Sequence, residues 1–290
     1  MLNFLTGHKF ILVGAVFMAL LVISPVLLFP LIASDSYRGI NLGEWDDDAY
    51  YIAKGREILE GHSLGNTFLK IGKNDSSDPH QTYIDYLLLA PVKLLGLSDI
   101  AKNHIVALYI VYVFLGAIAL ILLIYFFILN LSGNRLLSAA TALFTIGGYT
   151  LVKLSQATVT SAVHDFNIFG RPIMPLYGLL ALFVFINLLA KSLKSSERKY
   201  VLWAGISFGA LFYVYPYTWT FALALTGSLF LIYIFLRDWA QAKKVFFIAA
   251  TGLAVGAYAL ILLLLFMFSE IGQQIVSFTT LADHAPAPFS

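Results

Sequence analysis

Three consecutive aspartates, Asp46, Asp47 and Asp48, are the residues of this chain best suited by type and spacing to chemistry. Adjacent carboxylates raise one another's pKa, which can give a general base near neutral pH, and paired carboxylate oxygens can bind a divalent cation. Trp45 and Tyr50 flank the cluster with rings suited to stacking on a sugar or to the membrane interface. The simpler alternative is that the aspartates cap a helix in a solvated turn.

Two further polar segments carry candidate site residues. In the first, His80 follows Asp78-Pro79 and can donate to a phosphate or shuttle a proton, or it is an exposed histidine in an Asp-Pro turn. The second segment contains Lys153, Gln156, His164, Asp165, Asn167 and Arg171. Arg171 precedes Pro172, a residue suited to a helix start, and its guanidinium can bind a phosphate through paired hydrogen bonds or anchor the chain at the interface.

A divalent metal such as Mg²⁺ or Mn²⁺ is an open alternative for these residues. Its candidate ligands are Asp48 and His164, with Asp165 nearby in sequence. One histidine and scattered acids have no diagnostic ligand spacing, so the pattern does not establish a metal site.

The composition excludes several classes of protein. Of 290 residues, 60% are hydrophobic and 12% are charged, which excludes a soluble fold. The net charge of +2 gives no indication of a nucleic-acid partner, and the absence of cysteine excludes disulfides and thiolate catalysis. We therefore expect an all-α protein whose main partner is membrane lipid.

Apolar runs long enough to cross a bilayer, which takes roughly 20 residues, define the expected spans. They lie at 10–33, 104–129, 136–152, 172–190 and 245–268. The stretch 200–236 is too long for one span, and it contains Tyr215-Pro216-Tyr217, where proline removes a helix donor and tyrosines favour the interface. We interpret it as two spans joined by a tight turn, which gives about seven transmembrane helices.

The charges indicate an orientation for these spans. If the N-terminus and the loops at 130–135, 191–199 and 237–244 are cytoplasmic, that side holds nine basic and two acidic residues. The other side holds the remaining nine basic and fourteen acidic residues. The positive-inside rule therefore predicts a multi-pass protein of the cell (inner) membrane with a cytoplasmic N-terminus.

The predicted outer loop at 34–103 is expected to carry amphipathic interfacial helices. Tyr51, Ile52, Ile58 and Leu59 recur at roughly helical spacing with charged residues between them. The apolar run 83–96 contains charges and a proline, and counting it as a span would reverse every later loop, so an interfacial or re-entrant helix is the better interpretation.

The order of these features resembles the GT-C superfamily of membrane glycosyltransferases, in particular relatives of lipid A aminoarabinose transferase and of protein mannosyltransferases. The resemblance consists of a first span, an acidic pair in the outer loop, an interfacial apolar segment and then further spans. The text that carries it is Asp47-Asp48, Arg56-Glu57-Ile58-Leu59-Glu60-Gly61 and Leu94-Leu95-Gly96. It implies a transferase that takes a sugar from a polyprenyl-phosphate donor and passes it to a protein, lipid or glycan on the extracytoplasmic side.

The resemblance also implies roles for individual residues. Asp47 becomes the base that activates the acceptor, and Asp48 assists it or binds metal. Asp46 is one residue out of register with the family's pair, so it is assigned to substrate binding together with His80, His164 and Asp165. Arg171 and Lys153 are expected to neutralise the donor phosphate.

Residues 1–290 are expected to form a single GT-C-like transmembrane domain, either alone or as the N-terminal module of a longer protein. Two other functions remain open. A transporter or flippase of a lipid-linked saccharide is disfavoured because the spans contain almost no charge, whereas transporters keep ionisable groups at mid-membrane. A non-catalytic membrane scaffold predicts that replacing Asp47 changes nothing.

Overall fold

The computed structural model describes residues 2–37, 48–61, 83–156 and 168–268, and every regular element among them is helical. Ten α-helices occur in these ranges. They are α1 (Leu2–Ala33), α2 (Asp48–Glu60), α3 (Ile84–Leu94), α4 (Ser98–Asn103), α5 (Ile105–Ser132), α6 (Arg135–Gln156), α7 (Leu176–Lys194), α8 (Arg198–Leu211), α9 (Pro216–Phe235) and α10 (Trp239–Met267). Short 3-10 turns cover Ser34–Ser36 and Ile168–Gly170.

Five of the helical segments are long and apolar enough to cross a membrane, so the chain is a multi-pass α-helical membrane protein. They are His8–Ser36, Ile105–Ser132, Leu176–Lys194, Pro216–Phe235 and Trp239–Met267. The remaining helices of the bundle are α6, which is 22 residues long and contains several serines, threonines and glycines, and α8, which has 14 residues and is about 21 Å long.

The stretch 200–236 forms two helices, as its sequence predicts. Helix α8 ends at Leu211, and α9 begins at Pro216, where a proline costs nothing because the first amide of a helix has no intrahelical partner. The run 83–96 forms α3, whose 11 residues extend about 16 Å, roughly half the thickness of a bilayer core.

Helices α1 and α6 run parallel to each other, and α5 runs antiparallel to both. Gly14 of α1 packs against Leu143 of α6, and four residues later Met18 packs against Gly147. The start of α1 meets the end of α5, where His8 Nδ1 lies 2.7 Å from the Tyr125 hydroxyl.

Helices α5 and α7 run parallel, and their contacts keep a constant offset along the chain. The Tyr177 hydroxyl donates to the Tyr112 carbonyl at 2.9 Å, and Asn187 Nδ2 donates to the Leu123 carbonyl at 3.1 Å. Helix α8 returns antiparallel to α7, with the rings of Phe185 and Phe208 5.4 Å apart.

Helices α8 and α10 run parallel and approach closely through glycines. A Cβ on Gly205 would lie 2.6 Å from Thr251 Cβ, and Gly252 accepts the ring of Phe208 one turn farther along. Because attraction between helices in lipid depends on close packing, such small residues hold this pair together. Helix α9 runs antiparallel to α10, so α1, α6, α8 and α10 point one way and α5, α7 and α9 the other.

This alternation gives the bundle two ends with different contents. The basic end contains the start of α1 and the turns α5–α6, α7–α8 and α9–α10, where the basic clusters of the sequence lie. The loop-helix end contains α2, α3 and α4, the start of α5, the segment before α7 and the turn between α8 and α9. One cluster of buried apolar residues joins these elements, and two others fill the bundle.

Candidate functional site

Most of the predicted site residues lie outside the described residues, and three lie within them. Asp46, Asp47, His80, His164 and Asp165 belong to the first group. Asp48 is the first residue of α2, Lys153 lies in the last turn of α6, and Arg171 lies between the 3-10 turn Ile168–Gly170 and α7. The structure places the start of α2, the end of α6 and Arg171 at the loop-helix end.

Helix α2 presents one buried stripe to the rest of the protein. The buried residues are Tyr51, Lys54, Gly55, Ile58 and Leu59, which follow the i, i+3, i+4, i+7, i+8 pattern of a single helix face. Asp48 is the first residue of α2 and precedes the first residue of this stripe by three positions. The helix therefore begins less than one turn before the stripe by which it is docked.

A buried ion pair joins α2 to α3. Lys54 Nζ lies 3.0 Å from Asp85 Oδ2, and the two side chains are 1% and 0% exposed. Burying one unpaired charge costs on the order of several kcal/mol in desolvation. Charges as buried as these therefore need a close, hydrogen-bonded partner. The Lys54 ammonium also lies 5.7 Å from the centre of the Tyr50 ring, which adds a cation–π contact.

Tyrosine hydroxyls tie these loop helices to the bundle. Tyr109 of α5 donates to the carbonyl of Tyr51 in α2 at 3.2 Å, and Tyr112 donates to the carbonyl of Leu88 in α3 at 2.7 Å. Gly55 lies against the Tyr109 hydroxyl so closely that a Cβ there would overlap it. Helices α2 and α3 are therefore both fixed to the first turns of α5.

The C-terminal end of α2 is held by a cation on α3. Lys93 Nζ donates to the Ile58 carbonyl at 3.1 Å, and a positive group near this end of the helix interacts favourably with its dipole. The apolar run 83–96 thus supplies two charged residues, Asp85 and Lys93, to the attachment of α2.

Arg171 is half-buried next to the turn between α8 and α9. Burial lowers the pKa of its guanidinium, and the neighbouring Tyr215 opposes that shift. An arginine keeps its charge at neutral pH in proteins, so Arg171 is a cation at this end. Ile173 and Met174, just after it, pack in the same buried cluster as Tyr51 of α2.

Aromatic contacts connect the start of α3 to the turn between α8 and α9. The Tyr83 amide donates to the Tyr213 carbonyl at 3.1 Å, and the two rings are 5.4 Å apart in an edge-to-face arrangement. The Tyr213 hydroxyl in turn donates to the Val255 carbonyl of α10 at 2.9 Å. Burial is the main cause that raises the pKa of Tyr83, with Tyr258 adding to it.

The predicted metal ligands are not brought together within the described part of the chain. No group of three histidine or acidic side chains there is arranged to hold a metal ion. His164 and the acidic residues before α2 lie outside the described ranges. The metal alternative stays a prediction.

Comparison with known proteins identifies no relative. No family model, curated protein or solved structure matches the chain. The resemblance to GT-C glycosyltransferases therefore rests on the residues quoted for it.

The Lys54–Asp85 pair is the feature of this end that sequence reasoning missed. The sequence pattern predicts that the charged residues of α2 lie on its solvated side. Lys54, however, lies three residues after Tyr51 and four before Ile58, on the buried face itself. Asp85, the acidic residue of the mainly apolar run 83–96, is the matching signal, since a buried acid needs a compensating partner.

Proposed function

We propose that the chain is a GT-C-type glycosyltransferase that takes a sugar from a polyprenyl-phosphate donor and passes it to an acceptor on the extracytoplasmic side. The observation that supports the proposal is the docking of α2, the helix that Asp48 begins, at the same end as the cation Arg171. A carboxylate base and a phosphate-binding cation are the two groups that such a transfer requires.

The proposal includes seven spans, with α6 and α8 crossing the membrane beside the five longer helices. Its support is the alternation of helix direction, which brings the turns with basic residues to one end and α2, α3 and α4 to the other. Because basic loops stay in the cytoplasm, the basic end is cytoplasmic and the loop-helix end faces outward from the inner membrane. The acidic pair then meets a lipid-linked donor in the outer leaflet.

In the proposed reaction, Asp47 accepts the proton of the acceptor hydroxyl, and the oxygen forms a bond to the anomeric carbon of the sugar. The bond from that carbon to the phosphate oxygen breaks, and the polyprenyl phosphate leaves with the bonding electrons. Arg171 and Lys153 neutralise the charge of the phosphate as it leaves. Asp48 orients the acceptor, and Asp46, His80, His164 and Asp165 contact the substrates.

The test is transfer of radiolabel from a panel of polyprenyl-phosphate sugars in membranes that contain the protein. Asp47→Asn removes the proposed base while nearly preserving side-chain size. Asp99→Asn is the matched control, because Asp99 is an aspartate of α4 at the same end whose side chain is 92% exposed. Both variants are compared with the wild type at equal protein levels.

The proposal predicts transfer by the wild type and by Asp99→Asn, and a loss of about a hundredfold or more in Asp47→Asn, the usual effect of removing a general base. Transfer that survives in Asp47→Asn contradicts the assignment of the base. Failure of every donor contradicts the glycosyltransferase and favours a scaffold.

A transporter of a lipid-linked saccharide remains the rival proposal. The buried Lys54–Asp85 pair lies between α2 and α3, outside the five helices long enough to span the membrane. Transport proteins generally place such ionisable pairs within their spans, on the substrate path. The location of the pair therefore favours a site built at one end of the bundle.

A further inference from the structure

We propose that the Lys54–Asp85 pair is a positioning device that fixes the rotation of α2 about its own axis, and so the direction in which the acidic start of the helix faces. Lys54 and Asp85 are positioning residues and need not touch either substrate. The inference rests on the proposed glycosyl transfer only for the kinetic part of its test.

The pair is placed where rotation of α2 has to break it. Lys54 lies in the middle of the buried stripe, between Tyr51 and Ile58, and Asp85 lies in the first turn of α3. Successive residues of a helix are about 100° apart, so a rotation by one position carries Lys54 away from α3. Both charges then lose a 3.0 Å contact in surroundings where neither is exposed.

Apolar contacts alone do not set this rotation. The neighbouring stripe residues Ile58 and Leu59 can meet an apolar surface in several settings, since burial is non-directional. An ion pair has a required distance and geometry, and buried polar groups are known to specify register at some cost in stability. Here the Lys54–Asp85 pair selects one rotation of the 13-residue helix α2 from several that would bury a similar apolar surface.

The rotation of α2 matters because the helix begins with an acidic residue, Asp48. Asp48 lies six residues before Lys54 and three before Tyr51, less than two turns away, so any rotation at Lys54 moves the acidic start by the same angle. The close contact of Gly55 with the Tyr109 hydroxyl limits sliding of α2 along α5. Lys54 and Gly55, which are adjacent in sequence, thus restrain α2 against α3 and against α5.

The test uses the absence of cysteine, which allows spin labels to be placed on two introduced cysteines alone. Arg56→Cys reports on α2, where the native side chain is 61% exposed, and Leu231→Cys, at a position 66% exposed on α9, is the reference. The distance distribution is measured in the labelled parent and with the added pairs Lys54→Met/Asp85→Leu and Lys54→Asp/Asp85→Lys. The apolar pair is chosen because it removes both charges and leaves neither one buried alone.

We expect the Lys54→Met/Asp85→Leu protein to fold, with a broadened or displaced distance distribution. Without the spin labels, its kcat for transfer should fall by about tenfold or more while KM for the donor changes by less than about twofold, because binding survives and alignment is lost. The charge exchange should restore part of the narrow distribution and part of kcat, which a merely structural effect on folding does not explain.

An unchanged distance distribution in the folded apolar variant overturns the inference, and so does a changed distribution with an unchanged kcat. If the wild type transfers no sugar, the proposed function fails by that result alone. The distance distributions then decide the positioning role by themselves.

Discussion

The loop-helix end of the bundle holds a buried ion pair, which differs in kind from the exposed pair at the basic end. At the basic end, charges lie at the surface, where Lys199 pairs with Glu197 and both side chains are more than half exposed. At the loop-helix end, Lys54 and Asp85 are removed from water and pair at 3.0 Å. A lysine and a carboxylate thus form a solvent-screened pair at one end and an interhelical attachment at the other.

Whether a charged residue determines structure in this protein depends on whether it is buried. Lysines of the basic end also donate to helix carbonyls, as Lys244 does to Ser192 and Ser195 at 3.2 and 2.9 Å, and such contacts neutralise the helix ends. Removal of one surface partner returns the other to water, whereas removal of one buried partner leaves a charge without solvation. The effects expected at four sites are given from the largest to the smallest.

The largest effect is expected for Lys54→Met, which leaves the Asp85 carboxylate buried without its ammonium. The free energy of unfolding should fall by about 3–5 kcal/mol. Lys54→Met/Asp85→Leu should recover most of that loss, because it removes both charges. Reversible unfolding in detergent or bicelles measures both changes. If Lys54→Met is as stable as the double variant, the buried pair is no more important to stability than an exposed one.

The next largest effect is expected for Gly55→Ala, whose methyl group overlaps the Tyr109 hydroxyl. Overpacking of this kind costs about 1–3 kcal/mol, and it should cost less when Tyr109→Phe removes the hydroxyl. Gly227→Ala on α9 is the matched control, because nothing lies within 4 Å of a Cβ there. Unfolding measurements should show no destabilisation in that control, and equal effects at both glycines would contradict the close contact.

Tyr109→Phe should have a smaller effect, since it removes only the hydroxyl that donates to the Tyr51 carbonyl. We expect a loss of about 1 kcal/mol and faster amide hydrogen exchange in α2, because its attachment to α5 is weakened. Tyr233→Phe is the control, because Tyr233 lies near the end of α9, on the side of the bundle away from α2. Unchanged exchange in α2 would show that the hydroxyl does not hold the helix.

The smallest effect is expected at the basic end, for Lys199→Ala. Exposed ion pairs contribute little, so the free energy of unfolding should not change measurably, at low or at high salt. The pKa of Lys199 is raised by its hydrogen bond to Glu197, but the pair is solvent-screened and this shift does not make it a strong contact. A cost equal to that of Lys54→Met would show that exposure does not distinguish the two ends.

Much of the fold was predictable because lipid imposes simple requirements. Apolar run length predicted four of the five long helices, and the proline in Tyr215-Pro216-Tyr217 predicted the break that separates α8 from the fifth, α9. The run 136–152 forms part of α6, which is not among the five. The basic clusters predicted which turns share an end, because each pair of antiparallel helices returns the chain to the same side. The number of crossings stays a prediction, since α8 is short and α6 is less apolar.

The candidate site was less predictable because its attachment depends on contacts between distant residues. Sequence periodicity identified an amphipathic segment near Tyr51 and Ile58, but a lysine on the buried face cannot be told from a solvated one without its partner. Asp85 is 31 residues farther along the chain, and only folding brings it to Lys54. Arg171 was predicted from its place before Pro172, which was expected to begin a span. Helix α7 begins instead at Leu176, and Arg171 lies half-buried beside Tyr215.

The most direct test of the account is sugar transfer in sealed vesicles of known orientation, with a short-chain polyprenyl-phosphate donor that does not cross the membrane. The account predicts transfer in right-side-out vesicles, where the loop-helix end meets the added donor, and none in inverted vesicles until detergent opens them. Transfer in intact inverted vesicles alone would place the chemistry at the basic end and contradict the account.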